Sequence, residues 1–102
     1  MLEIRPECEC CDKKLPPNST EAYICSYECT WCEDCTENIL KHVCPNCGGG
    51  VVKRPIRPAN EWRKGLSTKH QPPSTKIVKT KFTHQEISDF ADKMNEILPE
   101  NR

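Results

Sequence analysis

The sequence predicts a small metal-stabilised α+β domain, then an extended basic arm, then a C-terminal amphipathic helix. Three observations lead there. All nine cysteines of the 102-residue chain fall between residues 8 and 47. Residues 53–82 set nine Lys/Arg against one acid, Glu61, and carry four prolines with no apolar periodicity. Residues 83–98 repeat apolar side chains at helical spacing. The domains are therefore expected at 1–52, 53–82 and 83–98.

The first segment cannot rely on apolar burial. Its large apolar side chains are few, with Leu15, Trp31, Leu40 and Val43 among them. A unit of this size needs disulfides or a structural metal. Disulfides belong to oxidising compartments. The N-terminal MLEIRPEC has neither the basic nor the apolar region of a secretory signal. No stretch reaches the roughly 18 apolar residues of a membrane span. A cytoplasmic location with reduced thiols is expected. The odd cysteine count also speaks against a closed disulfide framework.

The cysteines come in pairs. Cys8/Cys11, Cys32/Cys35 and Cys44/Cys47 are C-x2-C, and Cys25/Cys29 is C-x3-C. Zinc takes four thiolate or imidazole ligands in a tetrahedron, and two ligands on one tight turn reach the same ion. Four pairs make two complete sites and leave Cys10 over. Consecutive pairs can share an ion, or pairs one and three can share one and pairs two and four the other. In CSYECTWCEDC the pairs abut without a linker, which suits a chain passing between two sites with Trp31 wedged between them.

At this point the residues reach a known pattern. The eight-cysteine spacing resembles the cross-brace of RING fingers. Cys29 stands where that family usually has histidine, Trp31 precedes Cys32, and CPNC from Cys44 to Cys47 looks like its closing motif. Residues 1–58 look still closer to a family of short bacterial cysteine-rich proteins of unknown function, thought to bind zinc and related to RING fingers. The resemblance implies interleaved, treble-clef-like pairing: one zinc on Cys8, Cys11, Cys32 and Cys35, another on Cys25, Cys29, Cys44 and Cys47. It does not carry ubiquitin ligase activity, the least favoured reading. The first pair encloses Glu9 and Cys10 where ligases place an apolar contact residue, and Gly48 follows Cys47 where they often place a basic one.

Two sites closed by four thiolates leave no open position for a catalytic water. No nucleophile–base, histidine–carboxylate or phosphate-loop constellation is visible. A non-enzymatic zinc module serving protein–protein contacts is the function expected. His42 is read as a cation at a helix end over 33–41 rather than a ligand. Cys10 is read as a spare thiol, with ligand exchange or reactivity as alternatives.

The charges form three blocks. Residues 1–52 carry four Lys/Arg and nine Asp/Glu, a net of −5. Residues 53–82 are +8, nine minus one, and residues 83–102 are −3, two minus five. Eight thiolates and two zinc ions would deepen the first block to about −9, so the arm is expected to be drawn to its own domain. The alternative is a nucleic-acid-binding regulator touching phosphates through Lys53, Arg54, Arg57, Arg63 and Lys64. In the last segment Thr83 and Glu86 form a capping box. Ile87, Phe90, Ala91, Met94, Ile97 and Leu98 share one face, and Pro99 ends the helix. That face is expected to pack on the cysteine domain or on a second copy in a dimer, with another protein's groove as the alternative.

Overall fold

The computed structural model describes all residues, 1–102. It is an α+β structure of short elements. Strands β1 (Ala22–Ile24), β2 (Thr30–Cys32) and β3 (Val52–Lys53) form an antiparallel sheet in the order β2-β1-β3. Tyr23 lies opposite Trp31 on one side and Lys53 on the other. Helix α1 (Glu33–Cys35) follows β2 directly and widens into a π-helical turn over Thr36–Leu40. Helix α2 (His84–Met94) comes last, trailed by a 3-10 turn at Pro99–Asn101.

Two short ribbons supplement the sheet. Glu7 pairs with Lys14 around the first cysteine turn, and Val43 pairs with Gly50 around the last. Both turns close alike. The amide of Asp12 donates to the Cys8 carbonyl (3.0 Å), and that of Gly48 to the Cys44 carbonyl (2.7 Å). Asp12 and Gly48, each just after the second cysteine, are left-handed. A short polar side chain tolerates that conformation and glycine adopts it freely.

The core is one cluster. Trp31, Leu15, Ala22 and Leu40 are fully buried, and six cysteines pack with them. Ile87 of α2 joins the same cluster. The helix therefore packs on its own cysteine domain, over the π-helical turn. A Cβ at Gly48 would sit 3.5 Å from Phe90 Cζ, so the last cysteine turn lies under α2. Of the two expected uses of that face, packing on its own domain takes most of it: Ile87 and Ala91 are buried and Phe90 and Met94 half-buried.

The capping box forms as expected, Thr83 with Glu86 in both directions. The end of the helix is a correction. It stops at Met94, not Leu98, and Ile97 and Leu98 are exposed. Pro99 holds Leu98 out of the helical region, at ψ 144°. The chain tightens instead, with Ile97 N–H donating to Met94 O, and Arg102 Nε donates to the carbonyls of Met94 and Ile97.

The arm has almost no regular structure, and it lies against its own domain as its charge leads one to expect. Arg54 is buried, and its guanidinium donates to the carbonyls of Arg5 (2.9 Å), Leu15 (3.3 Å) and Pro16 (3.1 Å). Arg57 donates to those of Leu2 and Gln71. Further on, the chain returns along the N-terminal segment. Ser74 N–H donates to Glu3 O, Thr80 N–H to Glu9 O, and Lys79 pairs with Glu7 and Asp12.

Candidate metal centre

Two groups of thiols converge. The sulfurs of Cys8, Cys11, Cys32 and Cys35 all lie within 4.8 Å of one another. So do those of Cys25, Cys44 and Cys47. Cys29 stands outside that mutual set, although it lies near enough to Cys25 and Cys44 to influence their titration. The first group joins pairs one and three, and the second joins pairs two and four.

Local structure explains the convergence. The ribbon turn presents Cys8 and Cys11, and the end of β2 with the start of α1 presents Cys32 and Cys35. Cys25 and Cys29 flank the turn between β1 and β2, where Glu28 is left-handed. The second ribbon turn carries Cys44 and Cys47. Because β1 and β2 are antiparallel neighbours, Cys25 and Cys32 are sent to different groups.

The donor set fits a thiophilic metal. A zinc–sulfur bond of about 2.3 Å implies tetrahedral sulfur–sulfur edges of about 3.8 Å. Cys11 and Cys32 sulfurs are 3.6 Å apart. Each pair also has a backbone amide aimed at one sulfur. Cys10 N–H donates to Cys8 Sγ (3.4 Å), Tyr27 N–H to Cys25 Sγ (3.3 Å), Cys35 N–H to Cys32 Sγ (3.4 Å) and Gly49 N–H to Cys47 Sγ (3.4 Å). Such bonds stabilise a thiolate far more than a thiol.

The thiols compete for charge. The neighbouring thiols of Cys29 and Cys44 hold Cys25 down to about 3. Cys44 is pushed well above the usual thiol range by Cys25 and Cys29. Cys8 and Cys35 also rise, through neighbouring thiols and burial, and desolvation lifts Cys32 to about 11. Without a metal, several of these thiols keep their protons. A bound dication would remove that repulsion.

Residues 1–57 match the family described as "Protein of unknown function (DUF1272)". The chain belongs to that family. The DUF1272 match contains all nine cysteines, β1 to β3, Arg54 and Arg57; α2 lies beyond it. An uncharacterized protein of Rhizobium meliloti (strain 1021) is 56% identical over 64 residues, which cover 63% of this chain and 76% of the relative. No solved structure matches.

Other candidates resolve individually. His42 belongs to neither group; it is left-handed and packs edge-on against Tyr23 at 6.1 Å. Cys10 is half-buried beside the first group, and the nearby Cys35 lowers its pKa from the usual thiol value. Of the possible phosphate contacts, Lys53, Arg63 and Lys64 are exposed. Arg54 is not one, since its guanidinium is sealed among carbonyls, and Arg57 is half-buried with two carbonyls of its own. Sequence reasoning missed Glu9, buried within the first pair; its neighbours on both sides were the available signal. No helix is long and apolar enough to cross a membrane.

Proposed function

We propose that the chain is a non-enzymatic, structural zinc-binding module holding two zinc ions in a RING-like cross-brace. The first ion would be held by Cys8, Cys11, Cys32 and Cys35. The second would be held by Cys25, Cys44 and Cys47, with Cys29 moving in as the fourth ligand. The observation that carries this reading is the convergence of alternate cysteine pairs, each with an amide aimed at its sulfur. Bound zinc would supply folding energy. Closed thiolate shells offer no catalytic position. The finished surface would serve protein–protein contacts in a reducing compartment such as the cytoplasm. Glu9 is buried rather than offered as an apolar contact, which argues against a ligase surface.

Elemental analysis with native mass measurement should find two zinc ions per chain. Preparation with zinc present and no bound metal would overturn the reading. Cys29→Ser should weaken the second ion by at least about tenfold, leaving the first in place.

A second reading, nucleic-acid binding, is favoured by one observation. The loop 58–71 is tied to itself by Gly65 N–H to Glu61, Gln71 Nε2 to Gly65 O, and Thr68 N–H to Pro58 O. It displays Trp62, 76% exposed, beside the exposed Arg63 and Lys64. A π-face among cations suits an unpaired base and its phosphates. Trp31 is fully buried, so quenching of the exposed Trp62 would report the contact. Salt-sensitive quenching by single-stranded oligonucleotide, lost in Arg63→Ala/Lys64→Ala, is expected on this reading. Unchanged fluorescence at low salt would remove it.

A further inference from the structure

One buried carboxylate lies between the two thiol groups. Glu9 sits inside the Cys8–Cys11 turn and is 2% exposed. Its Oε2 accepts from the backbone amide of Thr30 at 2.7 Å and from Arg5 Nη1 at 3.1 Å. Its Oε1 accepts from Asn46 Nδ2 at 3.2 Å. Its backbone N–H donates to Thr30 O at 3.0 Å. Thr30 follows Cys29 and precedes Trp31 and Cys32. Asn46 lies inside the Cys44–Cys47 turn. One side chain thus reaches three of the four cysteine pairs and touches the frame of both groups.

We propose that Glu9 couples the two metal sites, so that filling one favours filling the other; this rests on the zinc reading above. The physical route is short. An ion on Cys8 and Cys11 fixes the turn that carries Glu9. The fixed carboxylate then presents two acceptor oxygens, one to the strand beginning at Thr30 and one to the turn holding Cys44 and Cys47. Ordering that turn removes part of the entropy that the second ion would otherwise have to overcome. Linkage makes the effect reciprocal: the second ion must favour the first by the same factor. A carboxylate suits the task because it accepts several hydrogen bonds at once and donates none. Arg5 supplies the counter-charge that lets it stay buried. A residue serving only to fill space would touch one group, or neither.

The test is the population of partly loaded chains. The full-length chain is titrated with zinc from zero to two equivalents, and native mass spectrometry counts chains with no, one and two ions. The product of empty and doubly loaded chains, divided by the square of singly loaded ones, gives the coupling once each site's own affinity is taken from the same protein with the other site removed by Cys11→Ser or Cys47→Ser. Asn46→Ala cuts the arm to the last turn at an exposed position, so folding is not at risk. Glu9→Gln keeps the volume and removes the charge and one acceptor. The expected result is two ions at saturation in the wild type, Asn46→Ala and Glu9→Gln, with the coupling reduced about tenfold in Asn46→Ala and further in Glu9→Gln. A coupling equal to wild type in both variants overturns the proposal while leaving the zinc reading standing. No zinc on the wild-type chain overturns both.

Discussion

If the chain holds two zinc ions as proposed, acidifying the loaded protein from pH 8 to pH 5 should release both and unfold the chain in one steep transition. The sign follows from the thiols. A metal-bound cysteine titrates far below its unfolded value of about 8.5. Its stabilisation is fully present above that value and is lost as pH falls toward the bound value. Each thiol that takes up a proton contributes about 1.4 kcal/mol per pH unit. Several do so together, because each thiolate freed from the ion returns to its unfolded value as the chain unfolds. Entry for protons or a chelator is provided by Cys11 and Cys47, the exposed member of each group. The check is zinc release followed with a colorimetric chelator, alongside circular dichroism. Retention of full structure after the zinc has left would contradict a structural metal.

Arg54→Ala should be strongly destabilising for a residue of the arm, costing about 2–3 kcal/mol. The guanidinium is 3% exposed and gathers carbonyls from Arg5, Leu15 and Pro16. Its backbone N–H also donates to Ala22 O, at the start of β1. Alanine leaves the Arg5 and Leu15 carbonyls without a donor, while Pro16 O keeps the Ser19 N–H. Arg54→Lys should recover only part of the loss, since an ammonium cannot match a planar fork. Denaturant unfolding of the zinc-loaded proteins measures both. A change below about 1 kcal/mol for Arg54→Ala would mean that water replaces the guanidinium.

Much of the site could be read from the sequence, because metal ligation leaves spacing behind. The paired cysteines pointed to two groups, but their spacing left the pairing open, and Cys29, counted with the second group, stands outside its mutual set. The capping box at Thr83 was equally local, and it marked the start of α2. The end of α2 was misread because apolar periodicity continued to Leu98, whereas the chain tightens into a turn after Met94 and is extended at Leu98, before Pro99. Arg54 was counted with the cations of a basic run. Nothing in its neighbours says that three carbonyls from residues 5 to 16 will converge on it. Glu9 was noticed only as a departure from an apolar pattern. Its hydrogen bonds to Thr30 and Asn46 span 21 and 37 residues, and such contacts exist only once the cysteine pairs have been brought together.

The family match ends at residue 57 and the similarity to the Rhizobium relative spans only 64 residues, but the folded body takes in α2 as well. Ile87 lies in the same cluster as Trp31, and Lys79 and Thr80 tie down the first cysteine turn through Glu7, Asp12 and Glu9. A chain cut after residue 57 would keep every thiol yet uncover an apolar face over Leu40 and Gly48. Sticky, aggregation-prone behaviour of such a fragment would then reflect a missing wall rather than a missing metal. Shared ancestry and mechanical independence have different borders in this molecule.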